Sequence, residues 1–192
     1  MVDKLYLDGC SLTYGQGLPR NQSLGFLFEN QGGYKVKDCS RGGKSNIAIC
    51  NDVYQNYKDF DVFVLGFTFS SRFGITYQEQ NIDFYSGSHE KGFDLSPADL
   101  DYSTQQVYKY FYTVFGHPYC DELSDMLVDT TTTFLLSHGK TVISFSWEKR
   151  QTTNELFYPY IGTQDRLADG HLNALGIEKL YQQLGVRIDQ QR

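Results

Sequence analysis

The sequence predicts an α/β fold, with a mostly parallel sheet covered by helices on both faces. Three observations carry this reading. Residues 61–67, Asp-Val-Phe-Val-Leu-Gly-Phe, are almost continuously apolar, as expected of a parallel strand buried on both sides. Strand-like runs, glycine-bearing turns and helical patterns alternate along the chain, which implies right-handed crossovers. Polar turns rich in glycine and hydroxyl groups follow the strand ends, where sheets of this kind bind ligands.

Lys4-Leu5-Tyr6-Leu7-Asp8 reads as a buried first strand, and Gly9-Cys10-Ser11-Leu12-Thr13-Tyr14-Gly15 as the turn that leaves it. Glycines on both sides permit a sharp reversal, so Ser11 is placed like a nucleophile on a strand-to-helix elbow. Residues 23–31 carry Leu24, Leu27 and Phe28 at helical spacing, and Gly32-Gly33 stops that helix. Residues 34–38 alternate like a second strand. The polar turn Ser40-Arg41-Gly42-Gly43-Lys44-Ser45-Asn46 follows, with Ser45 or Asn46 as cap of a helix that turns Ile47, Ile49, Cys50, Val53 and Tyr57 inward.

After the 61–67 strand the pattern breaks. Residues 69–101 read as an insertion over the carboxyl edge of the sheet, aromatic and polar, without strong periodicity. Residues 103–115 fit a helix, which Gly116-His117-Pro118 interrupts, and a second helix covers about residues 121–137. Residues 141–145 form a fourth strand. A loop spans 146–168, and a closing helix over 173–184 has Asn173 as its cap and Leu175, Leu180, Tyr181 and Leu184 against the sheet.

At 192 residues, with 40% hydrophobic and 21% charged residues, the chain suits a single globular domain. The net charge of −6 and the lack of a basic run argue against nucleic acid as a partner. No apolar stretch could span a bilayer, and no signal segment opens the chain, so a cytoplasmic protein is expected. Export without a leader, as part of a phage particle, would look the same. Cys10, Cys39, Cys50 and Cys120 lack the spacing of a zinc site or a disulfide framework, and free thiols follow. No metal or cofactor is expected.

Four blocks, in their order and spacing, resemble the SGNH (GDSL-like) hydrolase family: residues 9–15, residues 40–46, Leu65-Gly66-Phe67-Thr68, and Asp169-Gly170-His171-Leu172-Asn173-Ala174-Leu175-Gly176. The resemblance implies a three-layer α/β/α sandwich with a flavodoxin-like sheet of about five strands. It implies Ser11 as nucleophile, His171 as general base and Asp169 as the acid that orients the imidazole. The N–H groups of Ser11 and Gly42 would face the oxyanion, with Thr68, Asn46 and Arg72 completing the oxyanion and substrate-binding set.

Three positions depart from the family pattern. Cys10 replaces the Asp of Gly-Asp-Ser. Ala168 stands three residues before His171, where the family's Asp usually lies, so the acid is Asp169, with Asp165 as a fallback. Thr68 replaces the Asn that gives the third oxyanion donor, a loss that commonly costs about 2.7–4 kcal/mol. A Gly-x-Thr turn followed by Arg resembles small SGNH-like proteins of bacteriophages.

The resemblance implies a serine hydrolase acting on an ester of a carbohydrate or small metabolite. The alternative is a catalytically degenerate SGNH fold kept for binding, such as a virion-associated accessory protein that grips a glycan. Gly43-Lys44-Ser45 mimics the end of a phosphate-binding loop, but Asp38 stands where that loop needs glycine. His89, His117 and His138 read as structural or solvated.

Overall fold

A computed structural model describes residues 2–70, 72–77, 80–84 and 102–191. Its centre is a parallel sheet of four strands: β1 (Lys4–Gly9), β2 (Lys35–Asp38), β3 (Val62–Phe67) and β6 (Thr141–Ser146), in the spatial order β2-β1-β3-β6. β1 pairs with β2 on one side and β3 on the other, and β3 pairs with β6. This is the flavodoxin-like order, with the reversal of winding between β1 and β3.

The period-two alternation of the strands sorts their side chains into two cores. Leu5, Leu7, Val62, Val64 and Ile143 pack with Leu24 and Phe28 of α2 (Leu24–Asn30) and with Ile177, Leu180, Leu184 and Ile188 of α5 (Ala174–Gln191). Tyr6, Phe63, Leu65 and Val142 pack on the other face with Ile49, Cys50 and Val53 of α3 (Asn46–Asn56) and with Val128 and Leu135 of α4 (Tyr102–Ser137). The result is a three-layer α/β/α sandwich. Ser23 caps α2 by accepting from the Phe26 N–H at 3.3 Å, and Ser45 caps α3 by accepting from the Ala48 N–H at 3.2 Å. Among the described residues no helix is long and apolar enough to cross a membrane, and all four cysteines are free.

Four expectations need correction. Among the described residues the main sheet has four strands, where about five are expected. Within the segment read as aperiodic, β4 (Phe73–Tyr77) and β5 (Gln80–Phe84) form a separate antiparallel hairpin with Ile75 opposite Ile82. Its two-residue link, Gln78-Glu79, carries none of the glycine or asparagine that marks such turns in a sequence. The rest of the insertion, from residue 85 to 101, lies outside the described residues.

The expected break at 116–118 does not occur, and α4 runs through Pro118. An internal proline costs about 3 kcal/mol. The buried Cys120, Val128 and Leu135 on the same helix outweigh that, at roughly 1.5–3 kcal/mol for each large apolar side chain. The closing helix continues to Gln191 and turns Leu175 outward, half exposed, because Ile177, Leu180, Leu184 and Ile188 form the inward stripe.

Candidate active site

The turn after β1 is shaped by two facing glycines. Gly9 and Gly66 are register partners across β1 and β3, and the Thr13 side chain rests on both. A Cβ at either position would collide with Thr13, so the chain can fold back over the strand ends only with glycine there. The single-turn helix α1 (Ser11–Tyr14) follows and ends at Gly15, whose φ is +74°. Ser11 occupies its first position, where a backbone N–H has no partner within the helix, and its side chain is buried.

The second block lies alongside. Cys39 N–H donates to Leu7 O at 2.8 Å and Arg41 N–H to Gly9 O at 3.1 Å, which binds the 39–44 turn to the end of β1. A Cβ on Gly42 would come within 2.9 Å of Gln16 Oε1, so the turn touches the segment just after Ser11. The Gly42 N–H has no acceptor among the described residues.

Thr68, at the end of β3, is fully buried and its hydroxyl has no partner among the described residues. Its backbone is held tightly. Asn46 Oδ1 accepts from the Thr68 N–H at 2.8 Å, and Asn46 Nδ2 donates to Thr68 O at 3.1 Å and to Ser124 Oγ. Asn46 is thus spent on orienting Thr68 and is itself buried. Arg72 lies over the Phe69 ring, 5.6 Å from its centroid.

Sequence reasoning missed Arg150. Its guanidinium, 2% exposed, donates to Ser146 Oγ at 3.0 Å, to Ser124 Oγ at 2.9 Å, to Glu148 Oε1 at 2.8 Å and to Thr68 O. Nothing in the local pattern around 150 signals this, because Thr68 and Ser124 are remote in sequence.

His171 and Asp169 come together on the loop before α5. Asp169 Oδ1 accepts from the His171 backbone N–H at 3.1 Å, and Oδ2 lies 3.1 Å from His171 Nδ1, at an angle short of an aligned hydrogen bond. The His171 backbone N–H and the imidazole hold the Asp169 carboxyl below its usual range. The loop is closed by Leu167 N–H donating to His171 O at 2.7 Å. It rests against the segment after Ser11, where a Cβ on Gly17 would lie 3.3 Å from Leu167; the α5 helix that follows it meets Gly15, where a Cβ would lie 3.6 Å from Ile177. Leu172 is buried in the same core as Cys10 and Leu12. Among the described residues no direct hydrogen bond joins Ser11 to His171.

Asp165 does not serve as the fallback acid. Both its oxygens lie 2.8 Å from Lys179 Nζ, and Oδ2 also accepts from the Gly162 N–H, contacts that hold its carboxyl below the usual range. Asn173 accepts from the Gly176 N–H at 3.0 Å and caps α5, as its position implies. His138 bonds Phe134 O at 2.8 Å and packs against Tyr57, a structural role. Lys44 is fully buried and ion-paired to Asp8 and Asp52, so its ammonium is not presented to a phosphate. A cleft of about 340 Å³ lies on the Tyr14 side of α1, lined among others by Leu18, Arg20, Phe26, Glu29 and Asp38. Among the described residues no group of His, Cys, Asp and Glu side chains is placed to hold a metal ion.

Compared with protein-family models and with curated protein sequences, the chain matches none. Solved structures do resemble it. TesA superposes with a TM-score of 0.58 at 10% identity, covering 98% of this chain and 99% of that one. The psychrotrophic esterase EstA from Pseudoalteromonas sp., solved inhibited by monoethylphosphonate, gives 0.56 at 7% identity, with 98% and 97% covered. A lipolytic protein of the G-D-S-L family from Veillonella parvula gives 0.43 at 13% identity, with 95% and 97% covered. The likeness to TesA and EstA shows a shared fold, the α/β/α sandwich that the resemblance to SGNH (GDSL-like) hydrolases implies.

Proposed function

We propose that this protein is a serine ester hydrolase. The observation that carries the reading is the pairing of His171 with Asp169 on a loop that rests against Gly17, six residues after Ser11. In this reading Ser11 Oγ attacks the ester carbonyl and passes its proton to His171 Nε2, which delivers it to the departing alcohol as the carbon–oxygen bond breaks. Water then releases the acyl group by the same route. Asp169 holds the imidazole in the tautomer that leaves Nε2 free. The Ser11 and Gly42 N–H groups receive the oxyanion, with the unpartnered Thr68 hydroxyl as third donor and Arg72 adding positive charge nearby. Asn46 acts through Thr68.

The substrate class is an acyl or acetyl ester of a carbohydrate or small metabolite. Aromatic rings beside carboxylates and an arginine, as in the cleft with Tyr14, Phe26, Asp38 and Arg20, suit a polyhydroxylated alcohol. Exposure to a fluorophosphonate followed by intact-mass measurement tests the reading without the natural substrate. One adduct on the wild type and none on Ser11→Ala is expected, and an unlabelled wild type would overturn it.

Two observations favour a second reading, a binding protein on the same fold. The Asp169 side chain is 62% exposed, and the Thr68 hydroxyl is shut off from solvent, both of which weaken catalysis. Binding of an acylated oligosaccharide without turnover, on a protein that the fluorophosphonate does not label, would select this reading, including a virion-associated role.

A further inference from the structure

Resting on the hydrolase reading, the structure leads us to a positioning role for Lys44. We infer that Lys44, through its buried ion pair with Asp8, sets the Gly42 N–H relative to Ser11 and so builds the oxyanion pocket. The observations are geometric. Lys44 and Asp8 are both fully buried. Lys44 Nζ lies 2.6 and 2.7 Å from the two Asp8 oxygens, 2.6 Å from Asp52 Oδ2 and 3.0 Å from the Cys39 carbonyl. Asp8 in turn accepts from the Gly9 N–H at 2.7 Å and from the Tyr6 hydroxyl at 3.0 Å.

Two of these contacts fall on the backbone segments that carry the oxyanion donors: the one to the Cys39 carbonyl and the one from the Gly9 N–H. The bond to Cys39 O closes the 39–44 turn around its own lysine, with Gly42 at its tip. Asp8 directly precedes Gly9-Cys10-Ser11, and its bond to the Gly9 N–H fixes the first peptide of that turn. One ion pair therefore joins the two loops at a point two residues from Gly42 and three from Ser11. Buried ion pairs contribute little net stability compared with apolar side chains of similar volume, so this one is better explained by the geometry it imposes than by stability. Asp52, on α3 and partly exposed, holds the lysine from a third side.

The test uses the full chain and three proteins besides the wild type: Asp8→Asn/Lys44→Met, which removes both charges together, Asp8→Asn, and Ser11→Ala. Melting temperature, kcat and KM on p-nitrophenyl acetate and the rate of Ser11 labelling by a fluorophosphonate are measured. For the double variant we expect a melting temperature near that of the wild type, KM within twofold, and kcat and labelling rate lower by tenfold or more, since a misplaced donor acts on the transition state. A folded double variant with unchanged kcat overturns the assignment. If the double variant does not fold, Asp8→Asn alone decides: a kcat at least threefold lower at unchanged KM supports the role, and an unchanged kcat overturns it. A wild type that is neither active nor labelled, indistinguishable from Ser11→Ala, overturns the hydrolase reading itself, which separates the two failures.

Discussion

The Asn46 side chain grips Thr68 by both backbone groups, accepting from its N–H at 2.8 Å and donating to its carbonyl at 3.1 Å. A side-chain amide thus copies the pairing that a neighbouring strand would provide, at the point where β3 ends. Asn46→Ala leaves the Thr68 N–H buried without an acceptor, while its carbonyl keeps Arg150. The expected loss is about 1–3 kcal/mol of unfolding free energy, the cost of an unmet buried donor. Urea titration measures it, and a loss too small to resolve would mean that water or a shifted backbone takes over the amide's role.

The reacting groups should separate by environment. Ser11→Ala and His171→Ala are expected to abolish ester hydrolysis while leaving the melting temperature within a few degrees of wild type. Asp169→Asn should be milder, because the Asp169 carboxylate is 62% exposed and contacts Nδ1 at an imperfect angle. Steady-state kinetics on p-nitrophenyl acetate checks this. Equal loss in all three would show that the carboxylate matters as much as the imidazole.

Thr68 offers a sharper test of the oxyanion pocket. Its hydroxyl is buried and unpartnered, so Thr68→Val should not reduce stability and can raise it. If the hydroxyl donates to the oxyanion, kcat falls by about 10²–10³, with KM little changed. An unchanged kcat would remove Thr68 from the site and leave a pocket of two backbone donors.

Asp8 should impress an unusual pH dependence on stability. Burial pushes its carboxyl up to about 7, against the opposing pull of Lys44. Because the folded value lies above the ordinary value of 3.8, the native state holds a proton that the unfolded chain releases. The contribution is therefore largest at acid pH and declines as pH rises from about 4 to 7. Asp8→Asn removes this slope, so the variant should gain relative to wild type across that window and level off above it. Unfolding free energies at pH 4.5, 6 and 8 provide the check, and a variant that gains on the wild type as the pH is lowered would contradict the sign.

Local chemistry alone revealed much of this protein. The apolar run at 62–67 and the caps Ser45 and Asn173 act through neighbours close in the chain, so their pattern is visible in one dimension. The β4–β5 hairpin escaped because its turn carries no marker residue. The continuity of α4 escaped because a proline's local penalty was outweighed by packing on a distant sheet.

What only the tertiary structure decided is where the charges go. Lys44 looks like a phosphate-binding lysine until Asp8, 36 residues away, takes up its ammonium. Arg150 looks like a loop arginine until the Thr68 carbonyl, 82 residues away, accepts its hydrogen bond. Hydrophobic periodicity is written along the chain because burial is a property of each residue's own side. A buried charge is tolerated only through a partner, and the fold alone chooses that partner.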